Sequence, residues 1–144
     1  MENKVRQVYL ISVMFFLLNL LWEVAHSLLY DWNKLPLQND VYFYVPKILG
    51  ATLGDFFILT FIFLGMSLIN KNFSWLNKPS NLDYLLIVIS GIIISIIIEI
   101  RGVYLLNRWS YNTYMPTIMG IGISPLIQLA VTSLLALFIV RKLE

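Results

Sequence analysis

The sequence predicts an all-α polytopic membrane protein, an up-down bundle of four transmembrane helices. Three observations predict it. The 144-residue chain is 59% hydrophobic and 12% charged, whereas an ordinary soluble domain carries about a quarter charged residues. Its mean hydropathy is +0.79. Its charges fall into short clusters between four apolar stretches, each long enough for a bilayer core that needs about 20 residues per helix.

The first stretch runs over about 8–30, the second over 44–69, the third over 82–106 and the fourth over 115–140, together one transmembrane domain spanning 1–144. Polar connectors lie between them, at Asp31–Asp40, Asn70–Asn81 and Asn107–Asn112. Connectors this short force antiparallel neighbours. Lys4 and Arg6 precede the first run as in a signal peptide. That run is too long for a signal sequence, carries Asn19, Glu23 and His26, and lacks a small-x-small cleavage site, so it is expected to stay in the mature protein. Lys4, Arg6, Lys71, Lys78, Arg141 and Lys142 on one side outnumber Lys34, Lys47 and Arg108 on the other, which predicts cytoplasmic termini in the cell membrane.

Composition also excludes chemistries. Without cysteine there is no disulfide, thiolate nucleophile or thiolate metal site, and one histidine argues against a multi-histidine centre. No metal and no cofactor is expected. A net charge of +2 is too small and too dispersed for nucleic acid. Membrane lipids and an apolar small molecule are the expected partners, and no nucleotide-binding or hydrolase motif occurs.

Ionisable groups inside a span cost about 2.5–3.5 kcal/mol each near its centre, so each asks for an explanation. Asn19, Glu23, His26 and Tyr30 follow i, i+4, i+7, i+11 spacing on one stripe of the first helix. Asp55 follows the small residues Ala51, Thr52 and Gly54, which let another helix approach. Gly91, Ser95, Glu99 and Gly102 share a face of the third helix, and Ser124, Gln128 and Thr132 one of the fourth. Counted from the helix ends, Glu23 and Asp55 lie roughly 10–15 Å from one membrane face, and Glu99 and Gln128 fall at a similar level. The expectation is one buried acidic site near the first and third connectors, in the outer leaflet.

Arg101 is about 200° round the helix from Glu99, so it either reaches lipid headgroups or pairs with Glu23 or Asp55 on a neighbour. In the fourth span, Gly120-Ile121-Gly122-Ile123-Ser124-Pro125 reads in two ways. Ser124 caps a helix that begins at Pro125 inside the membrane, after an irregular segment, or the helix is continuous with a proline kink. Trp22, Tyr30, Trp32, Tyr42, Tyr44, Tyr104, Trp109, Tyr111 and Tyr114 gather at the same end, as an interfacial belt or as walls for a cationic species.

Glu23, His26, Asp55 and Glu99 are the candidate catalytic residues, with carboxyl acid–base chemistry on an apolar lipid or isoprenoid-like molecule in view. Asn19, Trp22, Arg101, Trp109, Tyr111, Ser124 and Gln128 are the candidate ligand-binding residues. Whether the protein is an enzyme or only binds the molecule stays open at this point. The alternatives are a small proton- or cation-coupled transporter, and a structural subunit whose polar groups hydrogen-bond across helices. Against transport, the inner halves of the spans are nearly pure Leu, Ile and Phe.

The stretches Asn19-Leu20-Leu21-Trp22-Glu23-Val24-Ala25-His26, Arg108-Trp109-Ser110-Tyr111 with Met115-Pro116, and Gly120 through Gln128 resemble those of small bacterial four-helix integral membrane proteins. That resemblance covers most of the chain and implies no activity. More loosely, four short helices with acids facing an aromatic pocket are similar to the sterol-isomerase and sigma-2-receptor superfamily. No motif matches residue by residue, so no site is carried over.

Overall fold

The computed structural model describes residues 2–143, with side chains from Val5 onward; the side chain of Lys4 lies outside the described residues. Four helices are long and apolar enough to cross a membrane. They are α1 (Glu2–Ser27), α2 (Val41–Ile69), α3 (Asn81–Glu99) and α4 (Ile123–Lys142). Consecutive helices run in opposite directions, and α4 returns to pack on α1. Of the neighbouring pairs, α2 and α3 make the sparsest contact.

The end formed by the second connector is sealed. Phe15, Leu59, Phe63, Ile87, Leu129 and Leu137 form a core there, with Phe15 and Phe63 edge to face at 4.7 Å. Lipid tails are as apolar as these side chains, so close packing and hydrogen bonds hold the helices together. A 3₁₀ turn at Ser74–Leu76 tucks Trp75 under the bundle, where its indole N–H donates to Ser67 Oγ at 2.9 Å. Ser80 and Asp83 form a capping box at the start of α3, and Asn70 donates to Asp83 at 2.8 Å, joining the end of α2 to it.

The opposite end is built from the first and third connectors. Asp31 N–H donates to Ser110 O at 2.9 Å and Asn112 N–H to Leu29 O at 3.0 Å, an antiparallel bridge centred on Tyr30 and Tyr111. The Asn112 side chain adds a bond to Leu28 O at 2.7 Å.

Helix ends differ from the sequence expectation in three places. First, α1 stops at Ser27, because the carbonyls of His26 and Ser27 turn to Leu29 and Tyr30. Second, α3 runs on from Glu99 into a π turn, Ile100–Leu105, which ends where Asn107 takes a left-handed φ of 47°. Third, the fourth helix is neither kinked nor started by Ser124. It begins at Ile123 with Gly122 as the extended cap, and the residues before it form an antiparallel hairpin, β1 (Thr117–Ile118) and β2 (Ile121–Gly122). Met119 and Gly120, at φ 52° and 82°, give the two left-handed positions that a tight two-residue turn demands.

Asp55 stands fourteen residues after the start of α2, whereas Gln128 stands five after the start of α4. At 1.5 Å per residue, α2 projects roughly 13 Å beyond α4 at this end. Depth counted from helix ends is therefore not depth in the bundle.

Candidate functional site

Gln128 is the hub where α1, α2 and α4 meet. Its side-chain Nε2 donates to Asp55 Oδ2 at 2.6 Å and Glu23 Oε1 at 2.9 Å, and lies 3.3 Å from Asn19 Oδ1. An amide carries two N–H groups, so the two carboxyls take the short bonds. Asn19 is instead completed by its own helix and by Thr132: it donates to Phe15 O at 2.8 Å and accepts from Thr132 Oγ1 at 3.2 Å. His26, one turn beyond Glu23, places Nε2 3.4 Å from Glu23 Oε2. That is the only ion pair among the described residues.

Glu99 enters from α3 and is held separately. Its Oε2 accepts from Trp109 Nε1 at 3.3 Å and from the Tyr111 hydroxyl. Gly102 makes this possible, since a Cβ there would stand 2.0 Å from the Trp109 ring. Only a glycine lets the indole lie against the π turn and reach back to Glu99. Burial, followed by the negative carboxylates around it, pushes the Tyr30 phenol well above the usual tyrosine range. Burial and its bond to Glu99 push Tyr111 up as well. Both stay neutral hydroxyls, and Tyr111 stays a donor.

Glu23, His26, Asp55, Glu99 and Gln128 all line one cavity of about 390 Å³, within the usual range for small-molecule sites. Aromatic rings roof it: Tyr30 lies edge-on to His26 at 5.2 Å and to Trp109 at 6.4 Å, and Trp32 packs on Tyr44 at 4.7 Å. Along α2 the wall is low, because Gly50 and Gly54 face it and a Cβ at either would meet nothing within 4 Å.

Other residues singled out in the sequence stand elsewhere. Arg101 is exposed and pairs with no acid among the described residues, so the expected salt bridge to Glu23 or Asp55 does not form. The π turn carries it round to the outer surface. Trp22 and Ser124 line a separate open groove between α1 and α4 on the lipid side, with His26 as the shared wall. Among the described residues, no three acidic or histidine side chains stand in metal-holding geometry.

Two cavity residues were not among the candidate site residues, although Ser95 shares the face of Glu99 in the sequence. Ser95 is buried, lines the cavity and has no hydrogen-bond partner among the described residues, whereas the buried helical hydroxyls of Ser27, Thr52, Ser67 and Ser133 all bond back to their own helix. Its place one turn before Glu99 was the available signal. Lys47, counted only for orientation, also lines the cavity, and lies eight residues before Asp55 on the same face of α2. No family model, curated protein or solved structure matches the chain.

Proposed function

We propose that this multi-pass membrane protein binds an apolar, lipid- or isoprenoid-like molecule between its helices and performs acid–base chemistry on it. The observation that carries this reading is the meeting of three carboxyls, from three different helices, with empty space beside them. Hydrogen-bonded scaffolding alone would be served by Asn and Gln, at lower cost than carboxyls in lipid. One imidazole cannot balance three carboxylates in a low-dielectric chamber, so the cluster keeps exchangeable protons. Glu99, fixed by Trp109 and Tyr111, is the proton donor to the bound molecule. Glu23 and Asp55, joined through Gln128 and backed by His26, receive the proton that leaves it.

The sparse contact between α2 and α3 supports lateral entry from the bilayer. The sealed core of Phe15, Leu59, Phe63 and Leu137 beyond the cluster speaks against a polar path across the membrane. The basic residues Arg6, Lys71, Lys78, Arg141 and Lys142 lie at the sealed end, which supports cytoplasmic termini in the cell membrane and an outer-leaflet cavity.

The test is mass spectrometry of lipids that co-purify with the wild-type protein and with Gly54→Leu, whose new side chain grows into the cavity from a position where a Cβ meets nothing within 4 Å. A lipid enriched with the wild type and lost from the variant is expected. Equal lipid content in both, or proton or cation flux through the protein in liposomes, would overturn the reading.

A further inference from the structure

At the mouth of the cavity, away from the acids, stands a pair of cations. Lys47 lines the cavity and places Nζ 5.7 Å from the centre of the Trp109 ring. Arg108, exposed on the third connector, is the residue next to Trp109 and so flanks the ring that Lys47 covers. Neither has a carboxylate within ion-pair distance among the described residues. The acids of the first connector are engaged locally, Asp31 accepting from Asn33 N–H at 3.2 Å and Asp40 from Tyr42 N–H at 3.0 Å. Glu99 is screened from Lys47 by Trp109, which donates to Glu99 at its edge and carries Lys47 over its face.

Two cations flanking one indole beside an apolar opening favour an anion there. The geometry of α2 says where the rest of that anion goes. Lys47, Gly50, Gly54 and Ile58 recur at helical spacing on one face and all line the cavity. They form a trough that runs from the cation pair past Asp55, which lies about 12 Å further along the helix. No Cβ obstructs it at Gly50 or Gly54.

We infer that Lys47 and Arg108 clamp the anionic head, a carboxylate or phosphate, of a single-chain lipid whose tail lies in the α2 trough beside the acid cluster. This rests on the cavity being a ligand site, and it names the ligand class: an anionic amphiphile instead of a neutral hydrocarbon or alcohol. The head is held at the mouth, and the acids face the tail at a fixed distance from it.

The test uses purified full-length protein in a neutral maltoside detergent, with palmitate and hexadecanol as probes that share a tail and differ in head. Palmitate is expected to bind at least about 10-fold more tightly, the scale of hydrogen bonds to a charged group. The double variant Lys47→Gln/Arg108→Gln should erase that preference and leave hexadecanol binding unchanged. Gly54→Leu, with both cations intact, should lose both probes.

Equal binding of the two probes to the wild type, or a preference that survives in the double variant, would overturn the clamp and leave the cavity reading standing. Palmitate binding that survives Gly54→Leu would show a cation pair that merely meets bilayer headgroups, and would also overturn it. Inorganic phosphate that binds the pair as tightly as palmitate would make it a free-anion site, with the same result. Failure of both probes to bind the wild type would remove the clamp and the cavity reading together.

Discussion

The carboxyls divide into two kinds by what holds them. Glu23 and Asp55 share one amide, Gln128, with His26 also beside Glu23, whereas Glu99 depends on the aromatic donors of the third connector. Glu23→Gln, Asp55→Asn and Glu99→Gln keep side-chain size and one acceptor oxygen, so each variant is expected to purify folded. Turnover of the co-purified lipid should fall by roughly 10²–10⁴, the usual contribution of a general acid or base. Loss of folding with no separable loss of turnover would return these residues to a structural role. Tyr30 and Tyr111 make a second test, since burial holds both phenols above the ordinary range of about 10. In a spectrophotometric titration, Tyr30→Phe and Tyr111→Phe should delete only the late, high-pH part of the curve; deletion of the early part would contradict their environment.

At the scale of the elements, the glycines discriminate between packed and open faces. A Cβ on Gly91 would stand 3.0 Å from the backbone nitrogen of Ala130, and one on Gly102 would enter the Trp109 ring. Gly91→Ala and Gly102→Ala should therefore lower thermal stability in detergent, by about 1–3 kcal/mol where the neighbour cannot yield. Gly54→Ala meets only open space and replaces a poor helix former, so it should be neutral or stabilising by up to about 1 kcal/mol. A melting series over the three variants checks the order, which reverses if the α2 face is closed.

Legibility was uneven among the elements. Runs of twenty apolar residues announce membrane helices whatever their neighbours do, so all four were readable. The hairpin before α4 was not, although Met119-Gly120 between β-branched residues carried its turn signal, because the Ser124-Pro125 pair offers a competing cap. The π turn leaves no such signature: it sets Gly102 against Trp109, a contact between residues seven apart in the sequence.

Over the whole molecule, a sealed end and an open end are joined by one antiparallel bundle, and the bridge between Tyr30 and Tyr111 ties the two connectors that roof the cavity. Orientation can be tested cleanly because the chain has no native cysteine. A lone cysteine at Lys34 is expected to react with an impermeant maleimide from outside intact cells, and one at Lys71 only after permeabilisation; the reverse pattern would invert the protein.

Ionisable and strongly polar groups in lipid are so costly that their positions alone mark candidates, which is why Glu23, His26, Asp55, Glu99 and Gln128 could be picked out before any coordinates. The folded chain moves the helix ends from which a common depth follows, yet the residues meet, because α2 reaches about two and a half turns beyond α4 at this end and sets Asp55 alongside Gln128. What only the tertiary structure decided is which polar residues face empty space: it turned Arg101, Trp22 and Ser124 away from the cavity and brought Ser95 and Lys47 to it. Helical periodicity determines which residues share a face, but the rotation of each helix in the bundle determines what that face meets. That rotation is set by packing at distant glycines and by loops that fold against each other, contacts no local pattern contains.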